Sequence, residues 1–129
     1  MSYVDKVKEY LLELGHEIIK EIPEDGIMVI TNEERGLYHM VLDCEEDVLI
    51  IEQAIYEVKK DNPDDYKRLL QMNRSLVHGA FVLNGDASKV IFRDTLELEN
   101  LDQNELEGSL NALAIALAEY MDELLVFAG

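Results

Sequence analysis

The sequence predicts an α+β protein in which a mainly antiparallel sheet is flanked by helices, in the order α-β(3–4)-α-β-β-α. Three observations support this prediction. Apolar residues recur at helical spacing only near the start, the middle and the end of the chain. Short apolar runs bounded by turn sequences fill the intervals between those segments. The helices and hairpins are segregated instead of strictly alternating, which is typical of α+β folds.

Each predicted helix has its own start or stop signal. Ser2 is a candidate N-cap of the first helix, and Gly15 is suited to ending it. The second helix is expected to start at Asn62 and Pro63, which suit the N-cap and the first helical position. Asp102 begins a capping box before the last helix. The apolar stripe predicted for that helix contains Leu106, Leu110, Leu113, Leu117, Tyr120, Met121 and Leu124.

The predicted strands are short apolar segments separated by Gly, Pro, Asn and acidic residues. They cover residues 16–22, 27–31, 37–44, 48–58, 80–83 and 90–96. The first of these segments also suits a continuation of the first helix, so three or four strands are expected before the middle helix. Glu52 and Gln53 interrupt the apolar pattern of the fourth segment and predict that one of its faces is partly in water.

The formal net charge of −17 limits the partners that this chain can have. From residue 94 onward there are nine acidic residues and no Lys or Arg. Such a surface repels phosphate backbones and anionic lipid, so neither nucleic acid nor a membrane surface is an expected partner. Two interpretations of the acidity have equal weight, namely solubility and the attraction of basic partners.

Length and cysteine content predict a single domain spanning residues 1–129 in the cytosol. The 129 residues are enough for one core, and the polar start of the chain does not resemble a signal peptide. Cys44 is the one cysteine, so no internal disulfide can form.

No enzymatic chemistry is predicted, and no cofactor or metal is expected. Acidic neighbours disfavour a thiolate at Cys44, which makes it a poor nucleophile. His16, His39 and His78 lack the spacing of a zinc site, and ordinary surface or edge roles are expected for all three. The acidic clusters at 43–47 and 61–65 do not follow the EF-hand pattern.

Apolar residues outside the predicted core faces are the candidate contacts with a partner. On the middle helix, Tyr66, Leu70 and Val77 are assigned to the core, and Asn73 is expected to bond a backbone group there. A second stripe is assigned to a surface because Met72 is expected to lie off the core face. The candidate contacts are Leu69, Met72 and Leu76 on that stripe, Val90 and Phe92 on the neighbouring hairpin, and Ile115 on the last helix, about opposite its Leu stripe. An exposed isoleucine alone needs no partner, so this alternative for Ile115 stays open.

One stretch of the sequence resembles a known family. Residues 69–73 (LLQMN), 79–83 (GAFVL), 90–93 (VIFR) and 96–98 (LEL) run in series before the last helix. This series resembles YbjN-like proteins and the type III secretion chaperones of the Tir-chaperone class. The resemblance implies a homodimer formed through the middle helix and adjoining strands, with surface grooves that receive an extended segment of a client protein.

The leading hypothesis is therefore a chaperone-like or adaptor domain that binds an extended protein segment. Two alternatives remain: a self-associating structural or regulatory protein without a client, and a small-ligand sensor. A contiguous exposed apolar patch would favour the first, and a pocket of ligand size would favour the last.

Overall fold

A computed structural model describes residues 2–129, which form three α-helices, six strands and two short 3-10 turns. In chain order these are α1 (Tyr3–Glu13), β1 (Glu17–Ile22), a 3-10 turn (Pro23–Asp25), β2 (Ile27–Asn32), a second 3-10 turn (Glu33–Arg35), β3 (Leu37–Glu45), β4 (Val48–Glu57), α2 (Pro63–Asn73), β5 (Ala80–Leu83), β6 (Lys89–Glu97) and α3 (Gln103–Ala128). This order confirms the predicted α+β architecture.

The six strands form one antiparallel sheet in the order β1-β2-β3-β4-β6-β5. Met28 pairs with Leu42, and Leu42 pairs with Ile51, so these three side chains lie in a row on one face. All three are buried in the core that the sheet shares with the helices. The adjacent row, which includes Val29 and Val41, points to the opposite face and is half-buried.

The helix starts follow from local hydrogen bonding, as predicted. Ser2, Asn62 and Asp102 each accept a hydrogen bond from a backbone N–H of the first turn, at 3.2, 3.0 and 2.7 Å. Leu101 and Leu106, which flank the last cap, are both buried, in agreement with the predicted hydrophobic staple.

The first strand segment is a strand and not a continuation of α1. Gly15 has a φ of +85°, in the left-handed region that ends helices. The N–H of His16 then bonds the carbonyl of Leu11 at 3.0 Å, and β1 begins at the next residue. Four strands therefore precede α2.

Strands β3 and β4 pair with each other over only part of their length. Their register runs from Val41 opposite Glu52 to Glu45 opposite Val48. Before Val41, β3 pairs with β2 alone, and after Glu52, β4 pairs with β6 alone. His39 has a φ of +50° and lies in a bulge of β3, and bulges bend the strand that carries them.

The side chain of Gln53 links β4 to β3 at the point where the two strands separate. Its side chain is buried, and its Oε1 accepts the Tyr38 backbone N–H at 2.9 Å. The prediction that Gln53 places a strand face in water is wrong, because this bond satisfies a polar group inside the protein. Glu52 is half-exposed and pairs with Arg93 at 3.0 Å.

No helix within residues 2–129 has both the length and the apolar content needed to cross a membrane.

Candidate protein-binding surface

The middle helix buries the stripe that the sequence assigned to a surface. Leu69 and Met72 are 5% and 0% exposed, whereas Leu70 is 69% exposed. Val77 is 88% exposed and lies beyond the helix, which ends at Asn73. The assignments of Met72 to a surface and of Leu70 and Val77 to the core are therefore wrong.

Asn73 explains which face of α2 turns inward. Its Nδ2 donates to the carbonyl of Phe81 at 3.1 Å, and its Oδ1 accepts the N–H of Phe81 at 2.8 Å. The predicted backbone bonding of Asn73 is confirmed. Because Leu69 lies one helical turn before Asn73, it faces the same strand. A polar side chain bonded to β5, and not the count of apolar residues, sets the rotation of this helix.

The two predicted contacts on β6 also belong to the chain's own core. Val90 and Phe92 are 0% and 1% exposed, and the ring of Phe92 packs edge-on against Phe81 with centroids 5.9 Å apart. Their burial accounts for their apolar character without a partner, which corrects their assignment to a surface. Of the six predicted contacts, Leu76 is half-buried and Ile115 is exposed.

The last helix exposes apolar side chains along its outer surface. Ile115 is 66% exposed, as its position opposite the buried Leu113 predicts. Val126, on the same face as Ile115, is 75% exposed. Leu125 and Met121, which are 62% and 40% exposed, lie about 80–120° around the helix from Ile115, on one flank.

One flank of α3 forms an apolar groove with the sheet, which we call the α3 groove. Leu117 and Met121 lie at its centre because they line both of the cavities that make it up. One cavity is completed by Glu34, Arg35, Gly36, Ala114 and Ala118. The other is completed by residues 53–56 of β4 and by Leu124, Leu125 and Ala128, and its volume is about 130 Å³.

The sequence assigned Leu117 and Met121 to the core and missed the groove. The missed signal is the pair Ala114 and Ala118, one helical turn apart on the flank of α3. Small side chains at that spacing lower the helix surface, so a neighbouring segment can approach it closely.

Charged residues of both signs lie at the α3 groove. Glu34 and Arg35 line one end. At the other end, Lys59 lies near Gly129, which follows the lining residue Ala128.

Arg35 lines the groove, but other groups of the chain already engage its charge. Its Nη1 lies 3.7 Å from Oε2 of Glu107 and donates to Oδ1 of Asn111 at 3.4 Å. The guanidinium is therefore held toward α3, at the edge of the groove.

Cys44 lacks the properties of a nucleophile. Burial, together with the charge of Asp43, raises the pKa of its thiol to about 11. The thiol is therefore protonated at neutral pH, and only the thiolate attacks. Within residues 2–129, no group of three or more His, Cys, Asp and Glu side chains is arranged to hold a metal ion.

His16 is buried, which contradicts the surface or edge role expected for it. It is 3% exposed, Asn32 Nδ2 lies 3.2 Å from its Nδ1, and its Nε2 has no partner among the described residues. Burial lowers the pKa of His16, the charge of Arg35 lowers it further, and Glu107 acts in the opposite direction. His39 and His78 are exposed.

Comparisons with solved structures support the fold over nearly the whole chain. YbjN from E. coli, described as a putative transcription regulator, matches at a TM-score of 0.67 with 13% identity, over 93% of this chain and 92% of YbjN. A structure of the HopA1-SchA chaperone-effector complex matches at 0.63 with 14% identity, over 89% of this chain and 91% of the matched one. The Yersinia pestis type III secretion chaperone SycH, solved with a fragment of YscM2, matches at 0.54 with 16% identity, over 98% and 99%.

A family model assigns the chain to a protein family, which structural matches at such low sequence identity cannot do. No curated protein sequence matches the chain. The model of the CesT_Tir_1 family, in contrast, matches residues 1–129. The predicted resemblance to the Tir-chaperone class is thereby confirmed, and the chain belongs to the CesT_Tir_1 family.

Proposed function

We propose that residues 1–129 act as one non-enzymatic, chaperone-like protein-binding domain that holds an extended segment of a client protein and works as a homodimer. The α3 groove is the observation that carries this proposal. Family membership supports it, as does the fold shared with a chaperone solved in complex with an effector. The protonated Cys44 thiol is consistent with a non-enzymatic role.

The α3 groove is open and apolar. Its two adjoining cavities measure about 130 and about 390 Å³. An open apolar channel suits side chains that enter one after another from an extended chain. The larger cavity also falls within the ~300–1,000 Å³ of small-molecule sites, so the small-ligand sensor stays an alternative.

Leu76 and Ile115 are the proposed contacts of the dimer. Ile115 lies on the outer surface of α3, and Leu76 follows α2 at the edge of the core. Fully burying an exposed apolar side chain of this size contributes roughly 1.5–3 kcal/mol. Ile115 therefore contributes more than Leu76, which is already half-buried. A dimer through these residues would leave the α3 groove, on a different flank of the helix, open to a client.

Sedimentation equilibrium of the wild type and of Ile115→Asp tests the dimer. We expect a dimer for the wild type and a dissociation constant at least about tenfold higher for the variant, because a desolvated carboxylate costs more than about 1.4 kcal/mol. Leu12→Asp is the matched control, since Leu12 is a 55% exposed leucine on α1. A monomeric wild type, or an equal effect of both variants, would contradict the proposed dimer.

Selection from a displayed library of unstructured peptides tests client binding separately. We expect recovered peptides to bind the wild type in fluorescence anisotropy and to bind Met121→Glu more weakly by about tenfold or more. If no peptide is recovered and the protein is still dimeric, the client-binding role is wrong and the self-associating alternative holds.

A further inference from the structure

The middle helix has an outer face that the rest of the described chain leaves uncovered. Leu70 lies at its centre, with Lys67 and Arg74 one helical turn before and after it. Val77 follows just beyond the helix, and all four side chains are exposed. Neither cation forms an ion pair within residues 2–129. These four residues, which we call the α2 face, combine exposed apolar side chains with positive charge.

The outer side of α3 has the same construction with the opposite charge. Ile115 and Val126 are exposed and lie on one side of the helix. Glu119 and Asp122 lie between them on that side, also exposed, and neither forms an ion pair among the residues that the structure describes. We call these four residues the α3 face.

The arginines that reach α3 do not neutralise this face. Arg35 and Arg68 contact the flanks of the helix, where they pair with Glu107 and Glu123. The hydrogen bond with Glu123 and, to a smaller degree, the charge of Glu119 raise the pKa of Arg68. One guanidinium therefore serves two carboxylates, and the α3 face keeps an excess of negative charge.

Other charges of opposite sign lie toward the ends of the two faces. Asp61 and Asp64 lie at the start of α2. Lys59 lies near Gly129, at the end of α3. The centre of the α2 face is therefore basic, and the centre of the α3 face is acidic.

We infer that the α2 face of one copy of this chain docks on the α3 face of a second copy. The inference rests on the proposed homodimer and specifies which surfaces meet in it. The proposed dimer contacts agree with this arrangement, since Ile115 belongs to the α3 face and Leu76 directly precedes Val77. The sequence resemblance implied a dimer through the middle helix and adjoining strands, whereas here α3 takes the place of the strands.

Charge complementarity selects this pairing of faces. Two copies of the α2 face repel each other, as do two copies of the α3 face, because each face carries one predominant sign of charge. The α2 face against the α3 face brings two cations opposite two carboxylates and covers the exposed apolar side chains of both helices. Each copy supplies both faces, so the contact is reciprocal in a two-fold dimer.

The net charge of −17 opposes association of two copies at long range. That repulsion is largely screened beyond about 8 Å at physiological ionic strength, whereas charges paired across a contact lie within about 4 Å of each other. The local charges therefore determine which faces meet, and burial of the apolar side chains supplies the affinity.

Charge reversal on each face tests the inference. The α2-face variant combines Lys67→Glu with Arg74→Glu, and the α3-face variant combines Glu119→Lys with Asp122→Lys. We expect each variant to raise the dimer dissociation constant at least about tenfold in sedimentation equilibrium, because like charges then meet across the contact. A mixture of the two variants should dimerise again, since the reversed faces complement each other and so do the two unchanged faces.

A control variant separates the contact from net charge. Lys20→Glu combined with Lys89→Glu reverses two exposed lysines on strands and changes the net charge by the same amount as the α2-face variant does. We expect its dissociation constant to stay within about twofold of the wild-type value. A loss of affinity equal to that of the α2-face variant would overturn the inference, because net charge alone would then account for it.

The remaining outcomes distinguish the inference from the proposed dimer. If the wild type dimerises and the α3-face variant dimerises equally well, the inference is wrong and the homodimer stands. A dimer of the α2-face variant with the wild type that is tighter than the wild-type dimer would show that α2 packs against α2, which also overturns the inference. A monomeric wild type contradicts both the inference and the proposed homodimer.

Discussion

Gly79 connects the end of α2 to β5 in a conformation that few other residues tolerate. Its φ is +75°, and a Cβ at this position would overlap the ring of Phe92 and lie 3.1 Å from the carbonyl oxygen of Arg93. Asn73 bonds both backbone groups of Phe81 just beyond this glycine. At the residue scale, Gly79 and Asn73 determine how α2 meets the hairpin of β5 and β6.

We predict that Gly79→Ala lowers the free energy of unfolding by about 2–5 kcal/mol. Left-handed backbone costs a residue with a Cβ roughly 1–2 kcal/mol, and overpacking the core adds about 1–3 kcal/mol. Urea denaturation followed by circular dichroism measures the change.

Gly36→Ala separates the two contributions to the Gly79 effect. Gly36 has nearly the same φ, +74°, but a Cβ added to it would meet no other atom within 4 Å. We expect this variant to lose only the backbone part, about 1–2 kcal/mol. Equal losses in both variants would show that the ring of Phe92 moves aside without cost.

At the scale of elements, His16 lies where α1 ends and β1 begins, against Asn32 of β2. Burial lowers the pKa of His16, Arg35 of the second 3-10 turn lowers it further, and Glu107 of α3 partly opposes that effect. Five elements therefore meet at one buried imidazole. Protonating it adds a positive charge in the core beside a guanidinium.

We predict that His16 makes the junction acid-sensitive. Because its pKa in the folded protein lies below the ordinary 6.5, the unfolded chain takes up the proton first as the pH falls. Its contribution to stability is therefore present above pH 6.5 and is lost as the pH falls through the folded value.

The stability of His16→Gln relative to the wild type measures this contribution. Urea denaturation across a pH series should show the wild type losing its advantage over the variant below pH 6.5. His78→Gln, at an exposed histidine, is the matched control. A difference between the wild type and His16→Gln that does not change with pH would contradict the assigned role.

At the scale of the whole molecule, the net charge of −17 opposes compaction of the chain. The excess is concentrated from residue 94 onward, where α3 and the strand before it carry acids without compensating Lys or Arg. Arg68 of α2 and Arg93 of β6 form ion pairs with Glu123 and Glu52. Most of the negative charge is left facing solvent.

We predict that added sodium chloride stabilises the folded protein. Screening shortens the reach of charge repulsion from about 10 Å at 0.1 M salt to about 3 Å at 1 M. The urea midpoint should rise with salt, and replacing Glu97, Glu105 and Glu119 by Gln should reduce that response. A midpoint that falls, or a variant that responds like the wild type, would show that repulsion is not a limiting factor.

Local sequence signals predicted the elements of this protein well. The caps at Ser2, Asn62 and Asp102 depend on hydrogen bonds within a few residues, so their positions can be inferred without tertiary contacts. The buried face of α3 was also predicted, because one dominant face leaves a single choice for burial, although Met121 at the edge of the predicted stripe is exposed. The exposure of Ile115 follows from the same geometry.

The sequence by itself determined the order of elements after residue 22, the caps and the excess of negative charge. The tertiary structure alone decided which stripe of α2 is buried, because Leu69 and Leu70 are equally apolar and the bond from Asn73 to β5 selects between them. It also decided that His16 and Gln53 are buried, and that β3 and β4 separate beside α3. Those features depend on contacts between residues that are distant in the chain, which local periodicity does not encode.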